Sequence, residues 1–304
     1  PMVTGAAVLG LRPKERRKRE ILVMGGILAA SAVIGALVLN RPGQPLVLYR
    51  FGSRMNISLG LDGLSGVFAC LIAVLWPLTA LYSFEYMRNE ERQTVFFSYY
   101  LMTYGVTVGI AFAGNLVTLY LFYELLTLVT FPLVLHPMTK AAVRASRKYL
   151  YYAIGGAAFA FIGIIFVLNF STTGNTQFIP GGIMDAGADP AQRRTLLFVY
   201  VLAFFGFGVK AALFPCHGWL PDATAAPTPV TALLHAVAVV KSGAFAVMRL
   251  TYYSFGTALL RGSFAQYIVM GAAMATVVYG STMAGRGFVH PPRLLRSTFC
   301  VTLH

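Results

Sequence analysis

A lysine stands inside an apolar run that glycines and prolines interrupt, and from residue 206 the run reads Gly206-Phe207-Gly208-Val209-Lys210-Ala211-Ala212-Leu213-Phe214-Pro215-Cys216-His217-Gly218-Trp219-Leu220-Pro221-Asp222. Pro215 cannot donate the hydrogen bond to the carbonyl of Ala211 that a continuous helix requires. Non-helical backbone at membrane depth is tolerated where it lines a polar cavity, and broken helices recur at the ion sites of transporters. The pattern therefore predicts a membrane helix that is broken near Lys210.

The composition of the whole chain places this run in a membrane protein. Hydrophobic residues make up 57% of the 304 residues and charged residues only 11%, and the mean hydropathy is +0.70. A soluble domain carries about a quarter charged residues, so a soluble fold is excluded. We predict an all-α polytopic membrane protein of eight to nine transmembrane helices. A short apolar stub at 1–11 precedes eight full-length runs of about 20 residues, which are 21–40, 62–84, 95–113, 114–135, 149–170, 195–214, 229–253 and 264–284.

The strong positive charge indicates topology rather than nucleic-acid binding. The chain has 24 Lys and Arg against 10 Asp and Glu, a net charge of +14. A nucleic-acid interface needs a basic face on a soluble fold, whereas most of these charges lie between the apolar runs. If the basic run 12–19 is cytoplasmic and the chain crosses the bilayer at each span, most Lys and Arg residues fall on the cytoplasmic side. We therefore expect a multi-pass protein of the cell (inner) membrane with cytoplasmic basic loops.

The cysteines and glycines do not suggest a resident cofactor. Cys70, Cys216 and Cys300 stand singly, without the pairing of a disulfide framework, a zinc site or an iron–sulfur cluster. No GxGxxG motif follows a strand, so a nucleotide site is not indicated either. We expect no cofactor, no metal and no redox centre in this chain, and leave open whether it is a subunit of an enzyme.

Three charges inside the apolar runs are the candidate functional residues: Glu124, Lys210 and Lys241. A charge at the bilayer centre costs at least about 2.5–3.5 kcal/mol on insertion scales, so each charge suggests a function. A carboxylate next to a buried lysine influences whether that lysine is charged, and together the three residues suit a proton relay. The alternative is that each charge is paired structurally or extends to the membrane surface.

Other polar residues lie close to these charges. Tyr120 and Thr127 flank Glu124 at i−4 and i+3, on the same helix face. In a continuous helix His235 would lie about 120° around and roughly 9 Å along from Lys241, so a water or another side chain would have to bridge them. His217 and its neighbour Trp219 suit either the proton path or anchoring at the membrane interface.

Residues 215–236 contain two specific blocks, which are Pro215-Cys216-His217-Gly218-Trp219-Leu220-Pro221-Asp222-Ala223 and Ala226-Pro227-Thr228-Pro229-Val230-Thr231-Ala232-Leu233-Leu234-His235-Ala236. The two blocks closely resemble the signature of the antiporter-like, proton-translocating membrane subunits of respiratory complex I, Mrp-type cation/proton antiporters and membrane-bound hydrogenases. The resemblance covers roughly 62–284 and includes the segments 115–124 and 147–150, which makes Lys148 a further candidate for the proton path or for an interface.

The resemblance implies a role for four residues. Glu124 matches the glutamate of the family's fifth helix, and Lys210 matches the lysine of its broken seventh helix. His235 and Lys241 match polar residues of the eighth helix. The implied function is proton, or cation/proton, translocation by one subunit of a complex I-type NADH:quinone oxidoreductase, an Mrp antiporter or a membrane-bound hydrogenase. The expected partners are other membrane subunits, the lipid bilayer, and protons or sodium, but no nucleic acid.

The resemblance also implies a domain organisation. Family members contain about fourteen helices in two inverted repeats, so this chain would hold the first half of such a fold. We expect N-terminal helices, the first of them truncated, and a loop in 1–61. The translocation domain would occupy 62–284, with the first repeat and the start of the second. The tail 285–304 is atypical, and our hypothesis is a frameshifted end of a larger protein.

Two other functions stay open on the sequence alone. A secondary solute transporter would need polar groups that converge on one cavity, whereas the charges here are spaced along successive runs. A non-conducting structural subunit would hold the same charges in static pairs. Neutral replacements of Glu124, Lys210 and Lys241 would abolish translocation in a relay but leave it intact in a scaffold.

Overall fold

In the computed structural model, which describes residues 1–289 except 14, 41–42, 53, 186 and 188, helices follow the apolar runs of the sequence. Of residues 234–236 and 284–289 the backbone alone is described. The helices in chain order are α1 (Met2–Leu11), α2 (Arg16–Asn40), α3 (Gly63–Tyr86), α4 (Gln93–Ala111), α5 (Leu116–Leu135), α6 (Lys140–Phe170), α7 (Pro190–Gly208), α8 (Trp219–Ala223), α9 (Thr228–Ala236), α10 (Val239–Met248), α11 (Thr257–Leu260) and α12 (Phe264–Val289).

The prediction of a helical, multi-pass membrane protein is confirmed. Among the described residues, six helices are long and apolar enough to cross a membrane, namely α2, α3 with the 3₁₀ turn that follows it, α4, α5, α6 and α12. The short helix α1 packs against α4, where a Cβ on Gly5 would lie 2.8 Å from the carbonyl oxygen of Ser98. The stub at 1–11 is therefore part of the bundle.

The predicted runs 195–214 and 229–253 form interrupted helices rather than continuous spans. Helix α7 ends at Gly208 and no helix resumes before Trp219, so the break predicted near Lys210 is confirmed. The second run is divided between α9 and α10, because the amides of Val237 and Ala238 both donate to the carbonyl of Leu233. It then continues as a π-helix, Arg249–Phe255. The geometry expected for His235 and Lys241 in one continuous helix is therefore wrong.

A β-hairpin that the sequence analysis did not predict lies in the segment 41–61, which was expected to be a loop. Strand β1 (Leu46–Arg50) pairs antiparallel with β2 (Asn56–Leu59), with Leu46 opposite Leu59. Asn115 ties the hairpin to α5, since its amide nitrogen donates to the Ser58 hydroxyl at 2.8 Å and its side-chain oxygen caps α5 at the Thr118 amide. We call the end of the bundle that carries this hairpin the hairpin side.

The last helix extends beyond the predicted run. Helix α12 continues from Phe264 to Val289, so residues 285–289 of the predicted tail continue this helix. The remainder of that predicted segment, 290–304, lies outside the described residues.

Candidate functional site

Glu124 of α5 and Lys210 of the turn after α7 meet inside the bundle. The Lys210 ammonium is 3.5 Å from a carboxylate oxygen of Glu124, and the two side chains are 1% and 30% exposed. The ammonium also donates to the backbone carbonyl of Tyr123 and lies 3.4 Å from the centre of the Tyr123 ring. A buried cation is tolerated only with such compensation, because removing it from water costs several kcal/mol.

The break after α7 places Lys210 at this contact. The turn is closed by hydrogen bonds from the Ala212 amide to Val209 and from the Leu213 amide to Gly208, and Ala212 adopts a left-handed conformation with φ of 56°. A broken helix leaves carbonyls at its end without intrahelical partners. Tyr123 donates to the carbonyl of Phe207 at 2.8 Å, and Trp219 donates to that of Val209 at 2.8 Å.

Trp219 therefore has a structural task that the sequence analysis did not assign. Its side chain is only 1% exposed and packs against the Tyr149 ring, with ring centres 5.0 Å apart. An interfacial anchor would be at least partly exposed, so the interfacial interpretation of Trp219 is wrong. The signal that could have identified this role is the position of an indole N–H donor about ten residues after a predicted helix break.

Tyr120 and Thr127 lie on α5 on either side of Glu124, as their spacing predicts. The Tyr120 hydroxyl donates to the carbonyl of Ala157 on α6 at 3.3 Å, and Thr127 is buried. One turn beyond Thr127, the buried hydroxyls of Thr130 and Tyr149 are 2.9 Å apart. Hydroxyl groups thus follow the boundary between α5 and α6 away from the Glu124–Lys210 pair.

Lys148 and His217 lie near the end of the bundle opposite the hairpin. Lys148 forms a 2.7 Å ion pair with Asp222, and both side chains are substantially exposed, so the pair fastens α6 to α8 at the surface. The His217 ring stacks on Phe214 and lies 4.6 Å, centre to centre, from the Tyr279 ring of α12.

His235 and Lys241 are separated by the break between α9 and α10. Lys241 lies half-buried on α10, and the side chain of His235 lies outside the described residues. Among the described residues, no three His, Cys, Asp or Glu side chains are grouped so as to hold a metal ion. The arrangement that the structure does bring together is one carboxylate with one buried ammonium, which can exchange a proton.

Two family models match the sequence. Residues 113–288 match the model described as NADH:quinone oxidoreductase/Mrp antiporter, TM. Residues 50–97 match the model of the N-terminus of chain 5 of NADH-ubiquinone oxidoreductase (complex I). The chain belongs to the NADH:quinone oxidoreductase/Mrp antiporter family. The resemblance inferred from the two motif blocks is thereby confirmed, and the fold is that of an antiporter-like membrane subunit.

Curated relatives of this antiporter-like chain include components of sodium/proton antiporters. It is 35% identical over 235 residues to a Na(+)/H(+) antiporter subunit from Alkalihalophilus pseudofirmus, and the match covers 76% of this chain and 28% of the relative. It is 36% identical over 199 residues to a Na(+)/H(+) antiporter subunit from Staphylococcus haemolyticus, covering 65% and 24%. The chain thus spans about a quarter of the length of these relatives.

Two solved structures share the fold of the antiporter-like chain. The Mrp complex from Dietzia sp. DQ12-45-1b superimposes with a TM-score of 0.81 at 21% identity, over 99% of this chain and 33% of that chain. The membrane-bound sulfane sulfur reductase, an archaeal respiratory membrane complex, gives a TM-score of 0.77 at 23% identity, over 100% and 61%.

Proposed function

We propose that this chain contributes to proton translocation, or to the exchange of a cation for protons, through the pair Glu124–Lys210. The observation that supports this proposal is the ammonium of Lys210, almost completely buried and 3.5 Å from the Glu124 carboxylate. In such an environment, the attraction between the two charges decides whether the lysine holds its proton. Separating the pair would release a proton, and re-forming it would take one up.

Several residues would extend this pair into a path. The buried hydroxyls of Thr127, Thr130 and Tyr149 border it along α5 and α6, and Tyr120 lies one turn away on the other side of Glu124. His217 and Lys148 would serve at the end opposite the hairpin, and His235 and Lys241 would continue the path along the divided helix α9–α10. Protons, and sodium by analogy with the names of the relatives, are the proposed transported ions.

The proposed setting is a multi-subunit complex in the inner membrane, with the basic loops in the cytoplasm. The relatives are named as subunits, and the structural neighbours are complexes. Helix α2 fits this setting, because only 17% of an 18-residue apolar stretch of it is buried inside the bundle, which leaves the rest of its surface to lipid or to other subunits. We assign the N-terminal helices and the following loop to residues 1–61, and the translocation domain to residues 62–284. Complex I-type, Mrp and hydrogenase complexes stay the candidate assemblies.

The experiment compares Lys210→Met with a matched control, Lys18→Met. The control makes the same substitution at a lysine whose side chain is 72% exposed and pairs with Glu15. Each variant is expressed from the complete gene and its neighbouring genes in an antiporter-deficient bacterial strain. Proton movement is followed in everted vesicles with a ΔpH-sensitive dye after a sodium pulse. We expect Lys210→Met to abolish proton movement and Lys18→Met to preserve it, at equal abundance in the membrane.

The same experiment separates the alternatives. Proton movement that survives in Lys210→Met, in a normally assembled complex, would contradict the proposal and favour the structural subunit with static charge pairs. Dye responses that require an added organic solute, and not a cation, would favour a secondary solute transporter.

A further inference from the structure

Arg249, at the start of the π-helix, is a buried arginine held by an ion pair and a hydrogen bond on the hairpin side. Its side chain is 2% exposed, and its two terminal nitrogens contact the two carboxylate oxygens of Asp62 at 2.5 and 2.7 Å. The second nitrogen also lies 2.6 Å from the Ser65 hydroxyl. This two-pronged geometry uses the planar guanidinium fork, which a lysine cannot reproduce. It joins the beginning of α3 to the end of α10.

Aromatic rings complete the surroundings of the guanidinium. The rings of Phe178, Phe245 and Tyr253 have their centres 4.9, 5.0 and 4.4 Å from its central carbon. Rings at these distances attract a cation through their quadrupoles. The position of Arg249 is therefore fixed from the side of α10, from the π-helix and from the segment before α7.

The end of the π-helix is bound by this last segment. The carbonyls of Tyr252, Tyr253 and Ser254 accept hydrogen bonds from the amides of Gly181, Ile179 and Ile183 at 3.1, 3.4 and 2.9 Å. The π-helix ends at Phe255, so its last carbonyls lack partners within the helix, and the segment before α7 supplies them. The backbone that follows Arg249 is thus tied to that segment.

Helix α10 connects Arg249 to the turn that carries Lys210. A Cβ on Gly243 would lie 2.7 Å from the carbonyl carbon of Lys210, so the backbone of α10 rests directly on that turn. One turn before Arg249, Phe245 stacks on Phe68 of α3 with ring centres 4.8 Å apart. Closely packed backbones transmit a displacement because interiors have low compressibility. A shift at the Arg249 end of α10 would therefore move Lys210.

A cavity of about 180 Å³ opens on the hairpin side next to the contact between Asp62 and Arg249. Its lining includes Gln44, Asp62, Gln177 and Arg249. Asp62 is 39% exposed, so water reaches the carboxylate although Arg249 itself is buried. The contact that holds α10 is therefore accessible from the hairpin side, whereas the Lys210 ammonium is enclosed.

We propose that Arg249, held by Asp62 and Ser65, is a positioning residue for the Glu124–Lys210 pair. It sets the position of α10, and through Gly243 it sets the separation between the Lys210 ammonium and the Glu124 carboxylate. This inference rests on the proposed function, because its first test measures proton movement. Arg249 itself does not carry the proton.

The test compares Arg249→Lys with Arg261→Lys, the same substitution at an exposed arginine on the same side of the bundle. Arg249→Lys preserves the positive charge but removes the planar guanidinium fork that contacts both carboxylate oxygens of Asp62. We expect the midpoint of the pH profile of sodium-driven proton movement to shift by about half a pH unit or more in Arg249→Lys, as a coupled neighbour would cause. The pH profile of Arg261→Lys should superimpose on that of the wild type.

Ser65→Ala provides a second variant in case Arg249→Lys does not assemble. It removes one hydrogen bond to Arg249 and leaves the ion pair, so the midpoint should shift by a smaller amount in the same direction. A pH profile that superimposes on the wild type, in whichever of these variants assembles, would overturn the inference. An equal shift in Arg261→Lys would overturn it as well.

Failure of the proposed function can be recognised separately. If Lys210→Met retains proton movement, the proposed function is contradicted. The positioning role of Arg249 is then tested by thermal unfolding. Arg249→Lys and Lys210→Met should change the unfolding midpoint non-additively, because both act on the Lys210 turn. Additive changes would show that Arg249 does not act through that turn.

Discussion

Replacing Glu124 with glutamine preserves the shape of the side chain and removes its charge, so it isolates the attraction between Glu124 and Lys210. In the structure, the carboxylate lies 3.5 Å from the Lys210 ammonium, and the Tyr123 carbonyl also accepts from this ammonium. The substitution leaves the carbonyl contact in place. The effect on transport therefore measures the contribution of the carboxylate.

The magnitude follows from the distance and the burial. Two unit charges at this separation attract by about 4–5 kcal/mol at an effective dielectric constant of about 20. Because Glu124 is 30% exposed, water screens part of this attraction, and the amide oxygen of glutamine restores about 1 kcal/mol as a hydrogen-bond acceptor. A net loss of about 2–4 kcal/mol corresponds to a roughly 30- to 1000-fold smaller ratio of charged to neutral Lys210.

We expect sodium-driven proton movement at pH 7 to fall by about tenfold or more in Glu124→Gln, because the relay needs the charged form of Lys210, and a roughly 30-fold smaller ratio leaves only a few per cent of a lysine charged that was comparably charged and neutral before. The assay is the ΔpH dye response of everted vesicles, normalised to the amount of the protein in the membrane. Glu85→Gln is the matched control, since Glu85 is 72% exposed and pairs with Arg16 and Arg88 at the surface. Activity of Glu124→Gln within twofold of the wild type would refute the reasoning.

Two further predictions concern packing and pH. Gly243→Ala should lower the thermal unfolding midpoint, by the equivalent of about 1–3 kcal/mol, because the added methyl group meets the backbone of the Lys210 turn. Gly155→Ala on α6, where a Cβ meets open space, should leave the midpoint unchanged or raise it, and equal losses in both variants would contradict the packing argument. His136 follows the end of α5, and burial lowers the pKa of its imidazole, with smaller opposing effects of Glu91 and Glu90. The unfolded chain therefore binds the proton more readily, so the stability contributed by neutral His136 is complete above about pH 6.5 and is lost as the pH falls below it. Unfolding of detergent-solubilised His136→Gln between pH 7.5 and 5.5 should have a weaker pH dependence than the wild type, and an identical dependence would argue against this role.

The break at Lys210 could be predicted from local sequence alone. Gly206, Gly208 and Pro215 weaken or remove the hydrogen bonds of a continuous helix within the run, whatever surrounds them. The apolar runs and the charges of Glu124 and Lys210 are likewise properties of single segments. Membrane architecture, the position of the break and the two candidate residues follow from these properties, since lipid requires apolar runs and makes an isolated charge costly.

Other features arise only when distant segments of the chain pack against each other. The hairpin is fastened by Asn115 at the start of α5, and the end of the π-helix is bound by the amides of residues 179, 181 and 183, which donate to the carbonyls of 252–254. The contact of Lys210 with Glu124 and the link from Asp62 to Arg249 join segments 86 and 187 residues apart. Periodicity and local propensity describe one segment at a time, whereas the hydrogen bonds of each buried backbone group must be satisfied by whichever segment folds against it.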